Sequence, residues 1–271
     1  GLNRLNEEDP SFKIANNPET KQLIISGAGD QQLDVLVSKL KSRFGVEAVL
    51  SPAKVAYRER IKKKVEAHGR HKKQTGGSGQ FGDVWVRFEP QDEQDGLVFA
   101  EEVFGGSVPR NFYPAVEKGI QEAVQKGPLA GYPMVGLKAT LYDGSYHPVD
   151  SNEMAFKLAA ILAFKEAMPN AMPTLLEPIG SLAVTIPDSY MGDVIGDLNK
   201  RRGRVMGMDP DGHGNTVVSA EVPMAEMSSY AIDLRAMTQA RGSFTLKFDR
   251  YEEVPKANQA KIIADAKANE T

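Results

Sequence analysis

The chain of 271 residues contains no cysteine, which excludes disulfides, thiolate metal sites and cysteine nucleophiles. It has no apolar run approaching the ~18 residues of a membrane-spanning helix and no secretory leader pattern after Gly1. It therefore reads as cytoplasmic, with no membrane partner. It opens on Gly1-Leu2 without an initiator methionine, as a piece of a longer protein would. No G-x-x-x-x-G-K-[ST] occurs, so there is no P-loop to cradle a triphosphate. Formal charge is only −3, so any electrostatic footprint for nucleic acid has to be local.

One local excess stands out. Between Arg58 and Lys73, eight Lys or Arg face two Glu, which is either a solvated strand face or an anion-contacting surface. The run leads into Gln74-Thr75-Gly76-Gly77-Ser78-Gly79-Gln80-Phe81-Gly82-Asp83-Val84, which contains the kinase-type G-x-G-x-x-G-x-V letter for letter. A kinase loop also needs a phosphate-pairing lysine soon after it, then H-R-D and D-F-G, and none of these follows. A dinucleotide loop needs a strand before and a helix after. Here basic residues precede, and Val84, Val86 and Phe88 alternate with Asp83, Trp85 and Arg87 as in a half-buried strand. The glycines instead make a thin β–β connection, either a plain flexible hairpin or one that brings backbone close to another molecule.

Ser145, His147 and Asp150 offer a nucleophile, a base and an orienter within six residues, but triads are assembled from distant segments. His68, His71 and His147 lack the carboxylate or thiol pattern of a metal site. No catalytic residue and no metal is assigned.

Periodicity places a short helix before Asp9-Pro10, strands at Phe12 to Ala15 and Leu23 to Ser26, and a helix capped by Asp30 and closed by Gly45. A strand at Val46 to Leu50 is expected next. Further on come a helix over Phe112 to Val124, a strand over Met134 to Leu141 running into a turn cluster at Tyr142 to His147, and a long Ala-rich helix capped by Ser151-Asn152-Glu153. From Pro178 the order is strand (Leu182 to Ile186), helix (Met191 to Asn199), strands (Val205 to Met208, Thr216 to Val222), helix (Met224 to Met237) and strand (Ser243 to Phe248). This is the ferredoxin-like β-α-β-β-α-β order. Residues 255–270 should form a terminal helix.

Three ordered motifs resemble bacterial elongation factor G: Lys73 to Gly82; Asp143-Gly144-Ser145-Tyr146-His147-Pro148-Val149-Asp150-Ser151 with Ala155-Phe156-Lys157; and Met191 to Leu198 with Arg201-Arg202-Gly203. Weaker matches at Glu7 to Phe12, Ser26 to Gly29 and Val55 to Glu59 extend the similarity over practically the whole chain. The resemblance implies a multidomain α+β fold, with two ferredoxin-like units flanking a βαβ-type lever domain. Residues 1–55 would be a partial third domain. Residues 56–177 would be the fourth, with a helix at 255–271 packing back on it, and 178–254 the fifth. The GTPase domain, with its GTP and Mg, would lie in an N-terminal part missing here.

In this family the fourth domain is a lever whose two-loop tip enters the ribosomal decoding region. The resemblance therefore assigns RNA and ribosome contact to Gln74, Gly76, Gly77, Ser78, Gly79, Gln80, Phe81, Ser145, Tyr146 and His147, with Lys72 and Lys73 as basic support. In the fifth domain it assigns RNA contact to Lys200, Arg201, Arg202 and Arg204. The implied partners of a monomeric factor are ribosomal RNA, tRNA, mRNA and its own GTPase domain. Family members commonly carry Arg where Ser78 stands and Tyr where Phe81 stands, and Gln31-Gln32 replaces the usual third-domain residues. These departures look like those of elongation-factor-G-like paralogues. Translocation, recycling and ribosome protection share this architecture, and a small kinase or hydrolase using the glycine loop is the rival of a different class.

Overall fold

A computed structural model describes residues 1–74, 79–92 and 96–268. The chain divides into two compact units, Gly1–Ala56 with Glu177–Arg250 and Tyr57–Leu176 with Tyr251–Thr271. In the first fifty residues, α1 (Leu2–Glu8) stops at Asp9, and its Leu5 joins Phe12, Leu36 and Leu40 in a small core. Strands β1 (Lys13–Asn17) and β2 (Gln22–Ser26) pair antiparallel across a turn that Asn17 clasps, its Oδ1 accepting from the amides of Glu19 and Thr20. α2 (Asp30–Phe44) ends on Gly45 in the left-handed conformation (φ 65°).

Two expectations fail here. The helix is capped at Gly29, not by Asp30, whose side chain makes no capping bond; an acid in the first helical turn still complements the dipole. Val46 to Leu50 forms no strand. β1 and β2 satisfy each other, Val49 is 94% exposed, and an extended segment without a partner strand leaves its amides to water.

The second unit is built on a four-stranded sheet. After β3 (Arg58–Ile61) come β4 (Val65–Lys73), β5 (Gln80–Pro90), β6 (Leu97–Glu101), α3 (Tyr113–Ala123), β7 (Leu137–Ser145) and α4 (Glu153–Ala167). The sheet order is β4-β5-β7-β6, antiparallel except that β6 runs parallel to β7. β6-α3-β7 is thus a βαβ crossover. β6 escaped the periodicity reading because Leu97-Val98-Phe99-Ala100 is too short a run and does not alternate. Val84, Val86, Phe88, Ala139 and Leu141 face α3 and α4 and form the core with Val116, Ile120, Phe156 and Phe164. α4 lies close on the sheet where glycines allow it. A Cβ at Gly69 would stand 1.9 Å from the Ala159 carbonyl, and one at Gly82 would stand 2.4 Å from that of Ala155.

β7 also differs from expectation. It continues through Ser145 instead of giving way to a turn at Tyr142, because a bulge opposite Trp85 and Val86 takes up Tyr142 as the extra residue.

β8 (Pro173–Pro187) starts well before the expected Leu182. Its first residues pair with β3, and its stretch from Ile179 pairs with β10. Then follow α5 (Met191–Lys200), β9 (Arg204–Pro210), β10 (Asn215–Pro223), α6 (Tyr230–Met237), β11 (Ser243–Glu253) and α7 (Lys256–Ala268). The order β11-β8-β10-β9 is the ferredoxin-like one. Val194, Leu198, Tyr230 and Leu234 of the two helices pack on Leu182, Val184, Ile186 and Val218. α6 begins at Tyr230 because Met224–Glu226 is a separate 3₁₀ turn. No described helix is long and apolar enough to cross a membrane.

Candidate functional site

The β4–β5 hairpin sets Lys73 opposite Gln80, so the glycine segment is a hairpin connection as its flanks implied. Gly76, Gly77 and Ser78 lie outside the described residues. Ser145, at the end of β7, pairs with Asp83 of β5, so the segment beyond it leaves the sheet at the same edge as the hairpin. The structure therefore brings together the two segments singled out in the sequence.

They are clipped to each other. The Ser151 hydroxyl donates to the Phe81 carbonyl (2.9 Å) and accepts from the His147 amide (2.8 Å). The Phe81 amide donates to the Asp150 carbonyl (2.9 Å), and the Gly79 amide donates to Asp150 Oδ1 (3.0 Å). Gly79 is glycine for want of room, since a Cβ would sit 2.9 Å from Asp150 Cγ. The amides of Asp150 and Val149 approach His147 Nδ1 at 3.2 and 3.4 Å. With those two amides donating to it, Nδ1 is the acceptor nitrogen of the ring, and it also lies 3.3 Å from Asp150 Oδ2. The imidazole side chain stays 53% exposed and lies 6.4 Å from the Phe81 ring. Lys72, Lys73, Gln74 and Tyr146 are exposed, and Arg70 caps the Phe81 ring at 5.3 Å.

The geometry disposes of a Ser-His-Asp relay. The Ser145 hydroxyl donates to Asp83 Oδ2 (2.9 Å), the other oxygen of Asp83 meets His68 Nε2 (2.6 Å), and Asp150 holds the Gly79 amide. His71 Nε2 pairs with Gln80 Oε1 at 2.9 Å.

The basic turn after α5 is engaged within its own unit. Arg201 donates to Asp197 (2.7 Å), Asp233 and the Glu226 carbonyl, and its guanidinium lies over the Tyr230 ring. Arg202 forms a two-pronged pair with Glu177, both arms at 2.8 Å, and reaches Glu226 at 3.2 Å. It takes the left-handed conformation itself (φ 61°). Gly203 instead meets the Leu198 carbonyl closely and donates its amide to it at 2.8 Å. Arg204 pairs with Glu221, and Lys200 is exposed.

Glu59 was not singled out from sequence, although it sits in the weaker Val55 to Glu59 match. It is fully buried and accepts the amides of Leu129 (2.8 Å), Ala130 (2.8 Å) and Tyr132 (3.1 Å). Burial raises its pKa above the ordinary value, against the opposing pull of those amides. The available signal was an acid two residues before Ile61 in a strand that is otherwise basic or apolar.

Three protein-family models match the chain: elongation factor G domain III over residues 1–52, elongation factor G domain IV over 53–172, and the elongation factor G C-terminus over 174–262. A solved crystal structure of a protein from Thermus thermophilus is similar at 46% identity with a TM-score of 0.90, covering 98% of this chain. This chain spans 40% of the length of that one.

Proposed function

Because the chain belongs to the elongation factor G family, as its C-terminal part, we propose that it is the ribosome-binding lever of a translational GTPase and acts in translocation of tRNA and mRNA. The observation that carries this reading is the clip. Ser151 holds the hairpin end at Phe81 and the loop at His147 as one surface, so the two segments act together at one edge of the sheet. The chain makes no bonds itself; hydrolysis of GTP with Mg belongs to the domain that precedes this part in the full-length cytoplasmic protein.

Residues 1–55 serve as the partial third domain, 56–177 as the fourth and 178–254 as the fifth. The segment 255–271, with α7 (Lys256–Ala268), returns to the fourth, in keeping with Gln259 donating to Thr174 at 2.9 Å. At the tip, Gln74, Gly76, Gly77, Ser78, Gly79, Gln80, Phe81, Ser145, Tyr146 and His147 face tRNA, mRNA and ribosomal RNA. Lys72 and Lys73 supply charge. In the fifth domain Lys200 and Arg204 face ribosomal RNA, Arg204 from a side chain that stays exposed beside Glu221, while Arg201 and Arg202, more deeply set among carboxylates, shape the turn that presents them.

Pelleting the chain with ribosomes across a salt series tests the proposal. Association should be firm at low salt and fall steadily as salt rises, because phosphate contacts displace counterions. No association at low salt would contradict it.

A further inference from the structure

We propose that the helix-free face of the β4-β5-β7-β6 sheet is a stacking surface for single-stranded RNA, centred on Trp85. This goes beyond the tip, since Trp85, His68 and Tyr142 belong to neither loop; the choice of RNA over DNA rests on the tip reading.

Strand alternation determines which residues share this face. Gly69 and Gly82 abut the backbone of α4, and Val84, Val86 and Phe88 are buried under the helices. Their neighbours Arg70, Lys72, Phe81, Asp83, Trp85 and Arg87 therefore point the other way. Register then lays out cross-strand pairs on that face: Lys72 with Phe81, Arg70 with Asp83, His68 with Trp85, and Glu66 with Arg87. Successive pairs are about 6.7 Å apart along the strands.

Trp85 is the single tryptophan of the chain, on a strand flanked on both sides, and it is left 39% exposed. It is held in place rather than loose. His68 stacks on it at 4.6 Å and 17°, and Tyr142 leans in at 6.5 Å. The next aromatic along β5 toward the tip is Phe81 under Arg70.

Charge identifies the occupant. Most carboxylates of this face are met by cations or a hydroxyl: Asp83 by His68 and Ser145, Glu66 and Glu102 by Arg87, and Glu89 by Lys64, while Asp143 is exposed and accepts the Gly144 amide. Arg70 and Lys72 have no carboxylate partner among the described residues. Rings spaced along a strand and bordered by unpaired cations suit bases and phosphates of an extended strand. A protein interface would instead want a contiguous apolar centre.

Trp85 is its own reporter. Titrating the chain at low salt with a 12-nucleotide oligouridylate should quench its fluorescence saturably, and an RNA duplex should not. By anisotropy of labelled oligouridylate, Trp85→Leu should weaken binding about tenfold, Trp85→Phe should retain most of it, and Arg70→Ala should lower the salt slope by about 0.7. Thermal unfolding of each variant identifies any loss due to the fold alone. Absence of quenching, or Trp85→Leu binding as tightly as the wild type with its fold intact, would overturn the proposal. Failure of the tip reading looks different: the wild-type chain would quench with oligouridylate yet not pellet with ribosomes.

Discussion

Glu59→Ala is expected to lower the stability of the second unit by at least about 3 kcal/mol. The carboxylate accepts from three amides in the Leu129 to Tyr132 loop, and the residue is wholly buried. Each buried N–H left without an acceptor costs roughly 1–3 kcal/mol, against a domain stability of about 5–15 kcal/mol. The backbone of residue 59 offers no replacement acceptor, because the Glu59 amide and carbonyl are already committed to Pro133 and Val135. Glu59→Gln should fall between, since an amide keeps one acceptor oxygen but turns a donor toward Leu129. Urea unfolding followed by Trp85 fluorescence reads this unit selectively. An unchanged midpoint in Glu59→Ala would show that the loop does not depend on the carboxylate.

The pH dependence follows from the same group. Burial places the folded pKa above the ordinary 4.5. A raised folded value means that the contribution is complete below about 4.5 and is lost as pH rises through the folded pKa. The stability gap between wild type and Glu59→Gln should therefore narrow as pH rises from about 4.5 toward neutrality. A gap that widened over that range would contradict the direction of the shift.

Arg202→Ala is expected to destabilise the first unit by about 3 kcal/mol. Its partner Glu177 is only 3% exposed, and the pair is bidentate, with two arms of 2.8 Å. Removing one member of such a pair strands the other charge, which costs about 3–5 kcal/mol. The lower end applies because Arg202 also reaches Glu226 from a side chain that is partly open to water, which can solvate what the substitution leaves behind. Hydrogen exchange of the α5 and α6 amides reads the effect. Arg202→Met with Glu177→Leu should recover most of the loss. If Arg202→Ala left exchange unchanged while weakening ribosome association, the arginine would be a contact residue and not a support for the turn.

The parts legible in the sequence share a physical character. The ferredoxin-like order was readable because Leu182, Val184 and Ile186 alternate, and because Met191 to Asn199 carries helical spacing that ends in basic residues. The two loops were readable because the glycine-rich connection and His147-Pro148 mark chain reversals whatever the tertiary context, whereas Asp143-Gly144 lies within β7. What was not legible depended on partners. Val46 to Leu50 has strand composition, but no neighbouring strand edge takes it up. Tyr142 looked like turn material until the partner strand required a bulge. Glu59, Asp83 and Glu177 are single acids whose meaning lies in what they hold, 70, 62 and 25 residues away in the chain. Gly82 read as the end of the glycine segment, whereas its role, like that of Gly69, is the close seating of α4.

Central to the proposed function is the edge joining Phe81 to His147, taken to act on the ribosome-bound RNAs and not on nucleotide. The full-length factor carrying His147→Ala, assayed for translocation on pre-translocation ribosomes with GTP affinity measured alongside, tests this most directly. The predicted result is translocation slowed at least about tenfold, equivalent to about 1.4 kcal/mol in the barrier, with GTP affinity unaltered. Translocation at the wild-type rate, or a matching loss of GTP affinity, would contradict it.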